Sequence, residues 1–296
     1  MPLNFIFDEQ SSCTYPGTLY IVATPIGHME DITIRGLKIL NQVEWIAAED
    51  TRETQKLLKY YHIKTPLISC HDHNEIQCAE KIISRLKTGN AIALVSDAGT
   101  PTISDPGFRV VSLAIKANIS VVPIPGVSAA MTALSVSGLP SDTFVFQGFL
   151  PKKAGKREKI LNQLAIESRT LIFYESPRRI ETLLDHLIQI LGNREAMLGR
   201  ELTKKYEECI RGKLSDIKTW SAEQKAVRGE CTLLVSGHTL KSQENNFDLI
   251  QHIQSYLENH ADRPMSQSVK DMVTMFGESR KKIYDIALQI KTKTMD

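Results

Sequence analysis

The chain has 296 residues, 42% of them hydrophobic and 24% charged, with a formal net charge of +2. That balance belongs to a globular protein and excludes a strongly basic, histone-like binder, although a near-neutral total can conceal a local basic groove. The cysteines (Cys13, Cys70, Cys78, Cys209 and Cys231) are odd in number and form no C-x-x-C pair, as expected for reduced thiols in a cytoplasmic enzyme and not for a disulfide framework. No apolar run approaches the length of about eighteen residues that a membrane span needs. Residues 1–16 lack the basic-then-apolar order of a signal peptide and read as a flexible arm.

From residue 17 onward, strand-like and helix-like segments alternate. Short apolar runs predict strands at 18–23, 43–48, 67–69, 91–95 and 120–123, and helical periodicity predicts helices at 33–41, 51–60, 74–87 and 108–116. Repeated β-α units imply a mostly parallel sheet covered on both faces, so 17–126 is expected to be an α/β domain. Pro123, Pro125 and Gly126 break the alternation, and a helix of small residues over 127–134 opens a second α/β domain, expected over 127–238. Its predicted strands are 144–146, 169–174, 195–200, 206–210 and 231–235, with helices at 156–165, 178–191 and 213–220. Several of its connections are short, which predicts a mixed sheet. Residues 237–246 read as a polar linker. Beyond it, helices are expected at 247–258, 265–276 and 279–290, with Ser266, Ser268 and Ser279 as candidate caps and Gly277 as a stop. The tail at 247–296 is therefore a small helical domain, either helix-turn-helix-like or a plain packing appendage.

Several chemistries have no anchor here. There is no G-x-x-x-x-G-K-[ST] phosphate loop, no G-x-G-x-x-G dinucleotide turn and no G-x-S-x-G nucleophile elbow. Cys70, His71, Asp72, His73 and Cys78 lack the second ligand pair that a zinc site needs, so no metal is expected.

What the chain offers instead is loops at strand ends. The stretch S-D-A-G-T-P-T-I-S-D-P-G over 96–107 is longer than an ordinary strand-to-helix connection, small in its side chains and stiffened by prolines. Such a loop at the carboxyl edge of a strand presents backbone groups to a ligand. Three further loops (23–33, 125–130 and 173–177) occupy similar positions, and Ser128 falls in the first turn of a helix with free N–H groups. Together they predict a ligand crevice between the two halves, suited to a cofactor that brings its own reactivity.

These motifs, in this order, resemble the tetrapyrrole-methylase superfamily. G-T-L-Y-I-V-A-T-P-I-G over 17–27 and E-D-I-T-I-R over 30–35 are similar to its first loop. A-E-D-T-R over 48–52, the 96–107 loop, P-G-V-S-A-A over 125–130, F-Y-E-S-P-R over 173–178 and R-E-L-T-K-K-Y-E over 200–207 point to one branch, which methylates a ribose 2′-oxygen of 16S ribosomal RNA. The resemblance covers about residues 17 to 236 and extends to the helical tail. It implies S-adenosylmethionine held between two α/β domains, a homodimer, and methylation of a decoding-region cytidine in the small ribosomal subunit. Carried over by position, it implies cofactor contacts from Ile26, Gly99, Thr100, Ile103, Ser128, Ala129 and Tyr174. The chain departs from the corrin-methylating branch at Pro25, where that branch has glycine, and at Thr100, where it has aspartate; His28 stands where the RNA branch more often has asparagine.

A ribose hydroxyl is a poor nucleophile until its proton is drawn off. Glu49, Asp50, His71, Glu75 and Glu175 are candidate acceptors, with Asp50 and Glu175 preferred, although Asp50 also suits a helix N-cap. Arg52 suits phosphate better than proton transfer. For RNA, the basic run over 151–159 supplies Lys152, Lys153, Lys156 and Arg157, with Arg178, Arg179 and 280–282 as weaker candidates. The rival readings are a corrin-precursor methyltransferase, and a non-catalytic RNA-binding assembly protein that would bind RNA without the cofactor.

Overall fold

A computed structural model of the chain describes residues 14–71, 74–224, 228–239, 242–260, 263–276 and 278–293, with side chains not described at 242–248 and 291–293. The first sheet contains β1 (Thr18–Val22), β2 (Trp45–Ala48), β3 (Leu67–Ser69), β4 (Ile92–Val95) and β5 (Ser120–Ile124). Their order is β3-β2-β4-β1-β5, and every pairing is parallel. Alternate residues divide cleanly between the two faces. Tyr20, Val22, Ile46, Ala48, Ala93 and Val95 meet Leu37 and Leu40 of α1 (Ile34–Gln42) and Leu57 and Leu58 of α2 (Thr51–Tyr60). Leu19, Ala47, Ile92 and Leu94 meet Ile82 and Leu86 of α3 (Glu75–Lys87) and Val110 and Ala114 of α4 (Phe108–Lys116). Burial on both faces explains why these strands are continuously apolar. It also sends every strand's carboxyl end to one edge. There the loops after the neighbouring strands β1 and β4 join, Thr24 and Gly99 exchanging both backbone hydrogen bonds at 2.9 Å.

After α5 (Ala129–Ser137) comes the second sheet: β6 (Phe144–Phe149), β7 (Thr170–Glu175), β8 (Glu195–Arg200), β9 (Glu208–Lys213) and β10 (Cys231–Val235). Its order is β6-β7-β10-β8-β9, and β6–β7 is parallel while the other pairs are antiparallel. Leu171, Phe173, Leu198 and Leu233 face α6 (Ala154–Leu164), α7 (Ile180–Leu191) and α8 (Leu214–Glu223). Ile172, Tyr174, Met197 and Leu234 face the other way, onto Ala130 and Ala133 of α5 and onto Ile26 from the loop after β1. Ile26 and α5 thus join the two sheets through one apolar cluster. The expected α/β class, one parallel sheet and one mixed, is the observed one.

Several boundaries differ from expectation. The strand expected at 206–210 starts at Glu208, because Glu201 and Thr203 adopt left-handed backbone (φ 51° and 63°) and Glu207 accepts the Thr203 amide, closing a turn. Of the arm expected at 1–16, residues 1–13 lie outside the described residues, and the remainder is anchored: the Tyr15 amide donates to the Tyr20 hydroxyl and Gly17 to the Gly89 carbonyl.

From Thr239 the chain forms a separate compact unit. Its helices are α9 (Ser242–Asn259), α10 (Met265–Phe276) and α11 (Arg280–Lys293), so the expected linker is already helical from Ser242. Leu249, Ile253, Val269, Met272, Ile283 and Ala287 form their shared core. Ser279 caps as expected, accepting the Lys282 amide. Ser266 and Ser268 lie inside α10 instead, whose first amides bond to the Pro264 carbonyl, and Ser268 is buried. Gly277 lies outside the described residues. Among the described residues, no helix is long and apolar enough to cross a membrane.

Candidate active site

The 96–107 loop owes its shape to unusual backbone and to one distant anchor. Gly99, Thr102, Ser104 and Gly107 all have positive φ (84°, 74°, 65° and 120°). At Gly107 a Cβ would lie 2.8 Å from Leu94 Cδ2, so both conformation and space demand glycine. Left-handed backbone at Thr102 and Ser104 costs on the order of 1–3 kcal/mol each and persists only where the surroundings over-determine it. Glu75 at the start of α3 supplies the anchor, its Oε1 accepting the amides of Gly107 and Arg109 at 3.0 Å each while Oε2 pairs with the Arg109 guanidinium. At the other end, Thr24 Oγ1 donates to the Ser96 carbonyl and Thr100 Oγ1 to the Val127 carbonyl, both at 3.0 Å.

This loop walls a cavity of about 300 Å³ between the two sheets. Ile26 comes from the loop after β1; Ala98, Gly99, Thr100, Ile103, Ser104 and Asp105 from the long loop; Ser128 and Ala129 from the start of α5. The second sheet contributes Phe149, residues 174–177 and residues 230–232. The Tyr174 hydroxyl accepts the Ala130 amide at 3.0 Å, satisfying one of the free donors at the N-terminus of α5. Burial pushes the Tyr174 hydroxyl above its ordinary pKa, so it stays protonated near neutrality. Burial likewise pushes the Cys231 thiol up to about 12, which removes a thiolate from the site. What remains is an apolar, backbone-rich pocket of small-molecule size with few reactive side chains.

The family described as Tetrapyrrole (Corrin/Porphyrin) Methylases matches residues 18–218. The chain belongs to the tetrapyrrole methylase family. Within it, the chain is 44% identical over 275 residues to ribosomal RNA small subunit methyltransferase I of Halalkalibacterium halodurans, covering 91% of this chain and 94% of that protein. It is 52% identical to the Vibrio cholerae protein of that name, over 74% of this chain and 77% of the other. Among solved structures, a cobalt precorrin-4 methyltransferase of cobalamin biosynthesis superposes with a TM-score of 0.58 at 16% identity, covering 74% of this chain and 95% of that one. A uroporphyrin-III-C-methyltransferase from Thermus thermophilus gives 0.55 at 19%, covering 74% and 94%. At that identity the likeness is one of fold.

This tetrapyrrole methylase brings Ile26, Gly99, Thr100, Ile103, Ser128, Ala129, Tyr174 and Glu175 together around one cavity. Glu175 lines it with a carboxylate that is already committed: Oε1 accepts the Ser176 amide at 2.8 Å, Oε2 pairs with Arg179 at 3.1 Å, and the side chain is 1% accessible. Asp50, Glu49, His71, Glu75 and Arg52 do not line the cavity. Asp50 caps α2 by accepting the Arg52 amide at 2.8 Å, and grips the same residue's guanidinium at 2.6–3.2 Å. The Arg52 bonds hold its carboxyl down to about 2, which makes it a poor proton acceptor at neutral pH and occupies one face of Arg52. Asp50 therefore acts as a cap and ion-pair partner and lies off the cavity. Because its folded pKa lies below the ordinary 3.8, Asp50 contributes stability that is present above about pH 4 and lost as the pH falls toward 2. The difference in unfolding free energy between the wild type and Asp50→Asn, measured by denaturant titration at pH 5, 3 and 2, is expected to shrink across that window.

Arg157 also departs from expectation. It is 6% exposed, with Nη2 3.3 Å from His186 Nδ1, because positions 157 and 161 share the face of α6 that packs on α7. Lys152, Lys153 and Lys156 are exposed. Asp72 and His73 of the candidate metal cluster lie outside the described residues.

Sequence reasoning missed Phe149 and residues 230–232. Phe149 packs edge-on against Tyr174, with ring centroids 5.6 Å apart, and is 56% exposed. Its signal was Gly148, whose positive φ of 65° accompanies the register shift in β6. Glu230, Cys231 and Thr232 carried no local signal. They reach the cavity because β10 lies beside β7 in the sheet, opposing Cys231 to Glu175 and Thr232 to Tyr174.

Proposed function

We propose that this methyltransferase transfers a methyl group from S-adenosylmethionine to the ribose 2′-oxygen of a decoding-region cytidine in 16S ribosomal RNA, acting as a homodimer in the cytoplasm. The observation that carries this reading is the single cavity lined by Ile26, Gly99, Thr100, Ile103, Ser128, Ala129 and Tyr174, in a chain 42–52% identical to proteins named ribosomal RNA small subunit methyltransferase I. The fit to the cofactor is chemical. The apolar wall of Ile26, Ala98 and Ala129 suits an adenosyl group, and the exposed backbone of the long loop offers donors and acceptors to its edge. When bound, S-adenosylmethionine supplies a methyl group on a good leaving group, so the protein's task is alignment. Glu75 holds the long loop at a fixed curvature, Tyr174 fixes the start of α5, and the Glu175–Arg179 pair fixes the 175–179 turn. Thr100 turns its hydroxyl to the Val127 carbonyl, so this position brings no carboxylate to the cavity.

The RNA reading gains support from Lys152, Lys153 and Lys156. Lys153 occupies the N-cap position of α6 without a side-chain cap bond and Lys156 lies in its first turn, where cations oppose the helix dipole and gain nothing for the fold. A bound phosphate would offset that cost. Replacing all three with Gln is expected to reduce the slope of log affinity against log salt by about 2 to 3, at roughly 0.7–0.9 per lost phosphate contact, with cofactor affinity unchanged. The decisive assay offers labelled S-adenosylmethionine with small ribosomal subunits, free 16S RNA and a corrin precursor, then maps the methylated position. Label on a corrin, or RNA binding without cofactor binding, would replace this reading with one of its rivals.

A further inference from the structure

A second, smaller cavity of about 170 Å³ adjoins the first and shares Ile26 and Ala98 with it. It opens at the carboxyl edge of the parallel sheet, where Thr24 follows β1 and Ser96 and Asp97 follow β4, with Glu53 and Lys56 of α2 on its far side. Ligands of open α/β sheets bind at this edge.

The carboxylates around the two cavities differ in what they are committed to. Glu53 pairs with Lys56 at 2.7 Å, Glu175 with Arg179 at 3.1 Å and Glu230 with Lys204 at 3.2 Å. Asp105 lines the larger cavity, away from the smaller one that Asp97 faces. Asp97 has no ion-pair partner among the described residues: its Oδ1 accepts the uncharged Asp50 amide at 2.9 Å. The cation nearest in sequence to that amide, Arg52, is held by Asp50. Asp97 is exposed at the cavity, so a proton taken up there can pass on to water. No other part of the site described above uses this carboxylate.

We propose that Asp97 is the general base for the acceptor hydroxyl, with the smaller cavity seating the acceptor nucleoside beside the cofactor pocket. This rests on the RNA 2′-O-methylation reading given above. The 2′-oxygen forms its bond to the methyl carbon as the carbon–sulfur bond breaks with its electron pair going to sulfur, and the hydroxyl proton goes to the Asp97 carboxylate. The groups facing Asp97 suit it to this task. Desolvation of its inner part is the main cause that pushes its carboxyl above the ordinary aspartate range, helped by the negative charges of Asp50 and Glu53; the hydrogen bond from the Asp50 amide and the charge of Arg52 pull the other way without cancelling it. A raised pKa makes a better acceptor, and the rate then falls as the pH drops through that pKa.

The test compares wild type, Asp97→Asn and Asp97→Glu in single-turnover methyl transfer to 16S RNA across pH, with S-adenosylmethionine affinity by calorimetry. General-base catalysis contributes about 10²–10⁴-fold, so Asp97→Asn is expected to lose that much rate together with the acid limb of the pH profile. Asp97→Glu is expected to keep the limb at reduced rate. All three proteins should bind the cofactor equally and melt alike. In the cofactor-free protein, carboxyl NMR is expected to show Asp97 titrating above an ordinary aspartate, a resonance absent from Asp97→Asn. An Asp97→Asn protein that keeps the acid limb, or loses less than about tenfold in rate, overturns the assignment. A wild-type protein that binds the cofactor but methylates no RNA overturns the underlying reading instead, a failure visible without any variant.

Discussion

Ala129→Trp is expected to leave a folded protein that no longer binds S-adenosylmethionine. Ala129 is the first residue of α5 and lines the 300 Å³ cavity, where the Ala side chain leaves the room that an indole would take. Ala129 is half-buried at the edge of the apolar cluster that joins the two sheets, and the open space beside it is the cavity, so most of the cost falls on the ligand. Calorimetry should show cofactor affinity reduced at least 100-fold, and methyl transfer should be lost with it, a penalty of about 3 kcal/mol or more. The melting temperature in the absence of cofactor should match that of the wild type. Retained binding would place the cofactor elsewhere than in this cavity.

Phe173→Ala is expected to produce the converse. Phe173 is the immediate neighbour of Tyr174 on β7 but points to the opposite face, into the core formed with Leu183, Leu187 and Leu198, and is fully buried. Truncating a buried phenylalanine costs about 3–5 kcal/mol, because the surrounding core cannot close on the space. For a unit of this size, that lowers the melting temperature by roughly 6–20 °C. Tyr174, facing the cavity, keeps its bond to the Ala130 amide. Below the lowered melting temperature, cofactor affinity should therefore stay close to that of the wild type. Adjacent residues on one strand would then separate stability from binding, as the period of two requires.

The fold was legible because its signals are local. Continuous apolar strands such as 91–95 announce burial on both faces, and the short connections after residue 190 announce antiparallel pairing. The loops were legible for a related reason: small residues, glycine and proline after a strand mark a turn whatever packs against it. The roles of individual carboxylates and cations were not legible. Asp50, Asp97, Glu75, Glu175 and Arg157 are all polar residues near strand or helix ends, and nothing in their local sequence separates a cap, an anchor, an ion pair and a buried cation.

Those roles depend on partners remote in sequence. Glu75 reaches the amides of Gly107 and Arg109, and Asp97 takes the amide of Asp50. Residues 230–232 reach the cavity only because β10 lies beside β7. By itself, the amino-acid sequence determined which segments become strands, which sheet is parallel and which loops end at the ligand edge, since hydrophobic period and turn chemistry act over a few residues. Tertiary structure alone decided which charged groups are paired within the fold, as Glu75 and Glu175 are, and that Asp97 faces a cavity without an ion-pair partner among the described residues. Neutralising a charge requires a partner within a few ångströms, and only folding sets that distance.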